Sequence, residues 1–366
     1  MIEGTSTTRN SGARIGAILS ALALAMLSAC SSDDGEQPPG AIYDARPILE
    51  RATRGVIWST YSDLAQAART LHDATEDLAA SRSEAALDLT QAAWRAARRP
   101  WEQSEGFLFG PVSDHGIDPA IDSWPVNDVD LDAVLESDTP LTEPVVDQLS
   151  DELKGFHTIE YLLFGSDGAK TVDDLTEREL AYLAACAANL ERKTGELAAA
   201  WDPSGDDFGR LLIETGPQNP RYGSQLSSMQ ELLEGMVAIA DEVANGKIAD
   251  PFSAQDVTLE ESRFSRNSIL DFQDNIRSIQ HLYLGDRDAV LGVGYDSFVR
   301  WVDPALDTRV QLEIQAAVDA IGAIPPPFTS AIFEAPDAII AAQSAVRALL
   351  DTLDGEVRAL NGELIQ

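Results

Sequence analysis

The chain is poor in cysteine, histidine and positive charge. Of 366 residues, two are cysteines, four are histidines and 26 are Lys or Arg, against 61 Asp or Glu. The formal net charge of -35 excludes nucleic acid and anionic lipid surfaces as attractive partners, because both would repel the chain. It is compatible with cation binding, but the carboxylates are scattered rather than gathered into one acidic tail, as they are on a plain solvated surface. The two cysteines, Cys30 and Cys186, allow one disulfide at most and none if Cys30 is modified. The apolar run from Ile15 to Leu27 has thirteen residues, too few to span a bilayer as a mature helix. Clear strand alternation is absent throughout.

That run reads instead as part of an export signal. Arg9 and Arg14 supply a basic start, Ile15 to Leu27 the apolar region, and Leu27-Ser28-Ala29-Cys30 resembles a bacterial lipobox. On this reading residues 1–29 are removed, Cys30 carries lipid, and residues 30–40 tether the protein to a membrane of the cell envelope. An ordinary secretory signal with a chance cysteine is the alternative. Cys186, within AYLAACAANL, reads as a small buried hydrophobe.

From Ile42 the pattern is helical. Ile57, Tyr61, Leu64, Ala68 and Leu71 recur at spacings of three and four, and a second helix runs from Ser83 past Trp94 and Trp101 to Glu105, with a kink expected at Pro100. Residues 110–127 are loop-like and hold His115, Asp118 and Asp122. Further helices are expected at about 174–200, 221–246, 264–284, 303–322 and 336–361. Asp303-Pro304 and Ala335-Pro336 mark two starts, and Pro325-Pro326-Pro327 a break. The fold class is all-α, with an N-terminal bundle over 41–172 and a C-terminal bundle over 173–366. Residues 156–165 also align without a gap on 276–285, setting His157 opposite Arg277 and Glu160 opposite Gln280. Either a bundle has been duplicated and one copy keeps the polar pair, or amphipathic helices ending in Gly look alike.

The pair itself lies in KGFHTIEYLLFG, from Lys154 to Gly165. A helix places His157 and Glu160 on one face about one turn apart, amid Phe156, Ile159, Leu163 and Phe164. Buried polar groups left unpaired cost about 1–3 kcal/mol each, so the pair needs partners, either other side chains or a metal ion. Imidazole and carboxylate suit zinc or iron, but two ligands cannot hold such an ion alone. Glu102, Glu105, Glu261 and Asp271 are the candidates to complete a metal site. Arg98 is a charge partner for one of these carboxylates, and Arg98 and Ser262 are candidates to contact a bound group. Catalytic patterns are missing. HExxH does not occur, HxxEH fails at Tyr161, and a three-His zinc site would need His72, His115 or His281 to converge on His157. Ser262 has no neighbouring base in sequence.

Gly155-Phe156-His157-Thr158-Ile159-Glu160 resembles the GxHxxE signature of the imelysin-like family, bacterial envelope proteins classed with insulin-cleaving metallopeptidases and iron-regulated lipoproteins. WRAARRPWEQSEGFLFGPV, IDPAIDSWPV and ESRFSRNSILDF are similar to other blocks of that family, in the same order, so the resemblance covers most of the chain from about Ala41. It implies two packed four-helix-bundle-like domains with a site between them. It also implies binding of iron, zinc or a metal-bearing ligand at the envelope, in the context of iron acquisition. Metal-dependent proteolysis, with Glu102, Glu105 or Glu261 as base, is a second implication. A non-catalytic receptor or adaptor for an envelope protein is a third.

Overall fold

Residues 42–287 and 293–364 are described by the structure, a computed structural model. The leader, Cys30 and the tether lie outside them. Among the described residues there are no strands, and eight helices have ten or more residues. These are α1 (Trp58–Ser81), α2 (Glu84–Glu102), α3 (Gly155–Phe164), α4 (Glu177–Trp201), α5 (Gln225–Asp241), α6 (Ser268–Leu284), α7 (Pro304–Gly322) and α8 (Pro336–Thr352). No described helix is long and apolar enough to cross a membrane.

Local sequence sets most of their ends. Ser83 caps α2 by accepting the Ala86 N–H, and Thr176 and Glu179 form a capping box at α4. Asp303 accepts the N–H groups of Ala305 and Leu306 ahead of Pro304 at the first turn of α7. Gly165 and Gly285 end α3 and α6 with positive φ of 71° and 67°, backbone that glycine adopts without strain. The second helix is shorter than its pattern suggests. Pro100 lies in its last turn, the helix stops at Glu102, and Glu105–Phe107 forms a separate 3-10 turn. Pro100 removes one bond back toward the preceding turn, while the Gln103 N–H still closes on the Arg99 carbonyl at 3.0 Å.

Helices α1–α4 pack in a ring, with α1 against α2 and α4, and α3 against the same two. Helices α5–α8 form a second ring of the same kind, α6 and α8 each packing on both α5 and α7. The boundary expected after residue 172 falls inside the first ring, because α4 lies along α1. One continuous apolar core runs through both rings and includes Trp94, Trp101, Phe156, Cys186, Phe272 and Val310. The rings meet where α2 packs on α6 and where the 105–107 turn packs on α5. A Cβ on Gly235 would lie 2.1 Å from the Gly106 carbonyl oxygen, so only glycine permits that approach. The Gly106 N–H donates to Ser278 Oγ of α6 at 2.9 Å. The end of α2 is thereby held against the second ring, and polar residues converge there.

Candidate functional site

The approach of α3 begins at Gly155. Its φ is +76°, and a Cβ there would sit 2.2 Å from the Ile121 carbonyl oxygen. Glycine thus lets the short helix Ile117–Asp122 press on the start of α3, which sets Asp122 beside His157. His157 Nε2 is 3.2 Å from Asp122 Oδ1, and its Nδ1 is 3.2 Å from Glu160 Oε2. The other oxygen of Glu160 accepts the Ser265 N–H at 2.7 Å. The Trp124 ring lies 4.9 Å from the imidazole. His157 and Glu160 have no exposed surface, so both nitrogens and both oxygens are already engaged inside the protein.

Arg98 of α2 is the hub behind them. It is fully buried and pairs with Glu102 at 2.5 Å, with Glu261 at 2.8 Å, with Asp122, and more loosely with Asp271 at 3.9 Å. Each acceptor has a further anchor. Trp101 Nε1–H donates to Asp122 Oδ2 at 2.6 Å, Asn275 to Glu102 at 2.6 Å and Asn267 to Asp271 at 2.6 Å. A π-helical turn, Glu242–Lys247, follows α5 and brings in a second cation. Lys247 Nζ is 3.0 Å from Glu105 and 3.1 Å from Glu261. A cavity of about 430 Å³ opens on this cluster. Glu105, Asp118, Asp122, Glu242, Asp250 and Glu261 line it, and Lys247 is the one basic side chain among its described lining residues.

The electrostatics follow from burial and pairing. Burial and the Arg98 charge both oppose protonation of His157, but its hydrogen bonds to Asp122 and Glu160 outweigh them and hold it up at about 9. Asp122 is held well below the usual carboxylate range, because Arg98 and His157 overcome its burial. Glu261 is also lowered, with Lys247 and Arg98 offsetting its desolvation. Burial pushes Glu102 and Glu105 well up despite Arg98 and Lys247, Asp271 to about 7, and Asp118 to about 6 beside Asp122. Six carboxylates, those of Glu102, Glu105, Asp122, Glu160, Glu261 and Asp271, thus share two permanent cations and one imidazole. A further cation would enter by displacing the protons that burial holds on Glu102, Glu105 and Asp271.

The structure gathers most of the residues singled out from the sequence. Glu102, Glu105, Glu261 and Asp271 surround Arg98 and Lys247, with His157 and Glu160 alongside. Arg98 is a charge partner of several carboxylates, but neither it nor Ser262 lines the cavity. Ser262 is buried, with a φ of 51°. The other histidines do not converge on His157 among the described residues. His72 binds Glu191 of α4 at 2.7 Å, His115 is exposed, and His281 is packed in the core with its pKa lowered by burial to about 4. Sequence reasoning passed over two members, Asp122 and Lys247. The IDPAIDSWPV block carried a signal for the first. For the second the only one was rarity, as Lys247 is one of four lysines.

Two groups bring donor atoms within 4.8 Å of one another, as one metal ion requires. Asp122, His157 and Glu261 form the first, and Arg98 touches every member: it pairs with Asp122, lies 2.8 Å from Glu261 and 3.5 Å from His157 Nε2. Two unit charges 4 Å apart interact by about 4 kcal/mol at an effective dielectric of 20, and a divalent ion beside a guanidinium meets twice that as repulsion. The first group does not suit an ion. Glu102, Glu105, Asp122 and Glu261 form the second; Arg98 pairs with three of these as well, but Glu105 lies outside its reach, and the other nearby cation is Lys247, whose flexible stem can withdraw. This set fits a metal; Glu160 and Asp271 belong to neither group.

Comparison with known proteins gives the family and the fold. The sequence model of the imelysin family, peptidase class M75, matches residues 57–354. Iron-regulated protein A of Synechococcus elongatus is 30% identical over 310 residues, 83% of this chain and 83% of that one. A solved structure described as an iron-regulated protein A precursor from Parabacteroides distasonis superposes with a TM-score of 0.79 and 25% identity, covering 89% of this chain and 97% of that one. An imelysin-like protein from Psychrobacter arcticum shares the fold, with a TM-score of 0.72 at 12% identity over 88% and 98% of the two chains.

Proposed function

The chain belongs to the imelysin family, and from that premise we propose that it binds a metal cation in the service of iron handling at the cell envelope. One observation carries the reading. Carboxylates from three separate stretches, Glu102 with Glu105, Asp122, and Glu261, bring oxygens within reach of one ion beside an acidic cavity. An ion bound there would be held by those four residues and would take the place of the protons that burial holds on Glu102 and Glu105. Oxygen donors favour hard cations, in keeping with iron. His157 and Glu160 then act from behind, His157 fixing Asp122 and Glu160 fixing the backbone of Ser265.

Asp122→Asn and Glu261→Gln should each lower affinity for iron or zinc at least tenfold, and His157→Ala should do so by releasing Asp122, a loss of the size seen when outer partners of metal ligands are removed. Calorimetric titration and elemental analysis read this out, with circular dichroism to check that helical content is kept. Unchanged metal content in the Asp122→Asn/Glu261→Gln double variant would refute the reading.

Proteolysis has less support. A zinc peptidase needs a metal-bound water and a free general base. His157 remains protonated up to about pH 9 and both oxygens of Glu160 are occupied, so neither is a base at neutral pH. The zinc- or iron-loaded protein is expected to show no chelator-sensitive cleavage of oxidised insulin chains. Cleavage present in the wild type and absent from an identically prepared His157→Ala variant would reverse that view. The envelope location rests on the lipobox-like Leu27–Cys30. Cys30→Ser should release the protein from membranes or block its processing, and a variant that fractionates and migrates like wild type would remove that support.

A further inference from the structure

The lysine at the site sits where a bound cation would sit. Lys247 Nζ lies 3.0 Å from Glu105 Oε2, 3.1 Å from Glu261 Oε2 and 3.8 Å from Glu102 Oε2, so it touches three of the four carboxylates able to share an ion. We propose that Lys247 is a tethered counter-cation, whose ammonium fills the cation position of the unloaded site and leaves it when a metal ion enters. This rests on the metal-binding reading and adds to it a device that sets the affinity of the site.

The two cations of the cluster differ in a way that suits one of them to leave. Arg98 is fully buried, paired with carboxylates from separate stretches, and has no face on the cavity. Lys247 reaches in from the cavity wall on a flexible four-carbon stem. Acceptors wait for it on the way out. Glu242 Oε1 is already 3.7 Å from Nζ with its side chain about half exposed, and Asp250 also lines the cavity. Before exchange the ammonium keeps desolvated carboxylates from facing one another without a cation. After it, the ion does so with more charge, and the ammonium regains partners near water. Both cations together in one place would repel, so occupancy is exclusive. Glu261 Oε2 is buried and accepts no aligned hydrogen bond despite its 3.1 Å approach to Nζ, which leaves an acceptor suited to a closer ligand.

The test compares full-length wild type, Lys247→Met and Lys247→Arg in calorimetric titrations with zinc(II) and, without oxygen, iron(II). Lys247→Met is expected to bind at least tenfold more tightly than wild type, and Lys247→Arg no more tightly. In parallel, acetylation of wild type by acetic anhydride is followed by mass spectrometry. Lys247 should react faster once zinc is added, while Lys154, also buried but bonded to the carbonyls of Asp147 and Leu149, should not change. Should Lys247→Met fail to fold, the labelling decides by itself. A wild type that binds metal, with equal or weaker binding by Lys247→Met or slower labelling of Lys247, overturns the exchange and leaves metal binding standing. No binding by any of the three proteins overturns both. Binding by Lys247→Met alone supports the exchange in its strongest form.

Discussion

An Arg98→Met variant is expected to lose about 3–5 kcal/mol of folding stability, the range for breaking a buried ion pair by removing one partner. The expectation comes from what the substitution leaves behind. Arg98 has no exposed surface, and its guanidinium faces Glu102, Asp122 and Glu261 within hydrogen-bond range. Met fills much of the same space but brings no charge, so those carboxylates must take up protons, admit water or move apart. Lys is expected to rescue little, because an ammonium is a compact point charge and cannot present the planar fork that reaches carboxylates on separate elements. Relief should come from removing an anion instead. Adding Glu102→Gln to Arg98→Met should recover part of the loss, since Glu102 keeps only the neutral Asn275 and a looser approach of Lys247 at 3.8 Å, while Glu261 keeps Lys247 at 3.1 Å and Asp122 keeps His157 and Trp101. Urea denaturation followed by circular dichroism measures each step. A loss below about 1 kcal/mol for Arg98→Met would place this network among ordinary surface ion pairs.

The same network marks how far the sequence could be read. Helices α4, α6 and α7 were legible to within a few residues, and α8 at its start, because capping residues, Pro at the first turn and Gly at the stop each act on their own stretch of backbone. The ring of four around α1 was less so. Helix α4 follows α3 after a Gly-containing loop and reads as the start of a new unit, and only its packing along α1 assigns it to the first ring. The site divides likewise. His157 and Glu160 stand out as a polar pair in an apolar helix, and Glu102, Glu105 and Glu261 as acids within matched blocks. Asp122 lies in a stretch rich in acids and proline, and its role depends on a contact at Gly155 more than thirty residues away. Lys247 ends a π-helical turn whose register no periodicity argument predicts. Residues that reach the site through local pattern were visible; those brought by tertiary approach were not.

His157 should make the metal-free protein lose stability as pH rises from about 6.5 to about 9. The direction follows from proton linkage. Imidazole titrates at 6.5 when unperturbed and is held up at about 9 in the fold, where bonds to Asp122 and Glu160 outweigh burial and Arg98. A group whose pKa is raised on folding contributes its full stabilisation below the unfolded value and loses it as pH passes through the folded one. At about 1.4 kcal/mol per pH unit the interval amounts to about 3 kcal/mol. Glu102 and Glu105, pushed well up by burial, also lose stability as pH rises, but do so in any variant at position 157. The other neighbours act in other windows. Asp118 at about 6 and Asp271 at about 7 also favour the folded state while protonated, but their contribution is spent at or near neutrality. Asp122, held low, gives stability that is lost only as pH falls below the ordinary carboxylate value. Burial raises the Cys186 thiol, which costs stability only where an unfolded thiol would ionise, toward pH 9, and does so equally in any variant at position 157. His157→Gln keeps hydrogen-bonding capacity without a titrating charge. In the presence of a chelator, urea midpoints measured from pH 6.5 to 9 should therefore fall more steeply for wild type than for His157→Gln. Parallel curves for the two proteins would mean that the imidazole is neutral in the fold, which would return it to the pool of metal ligands free to act at physiological pH.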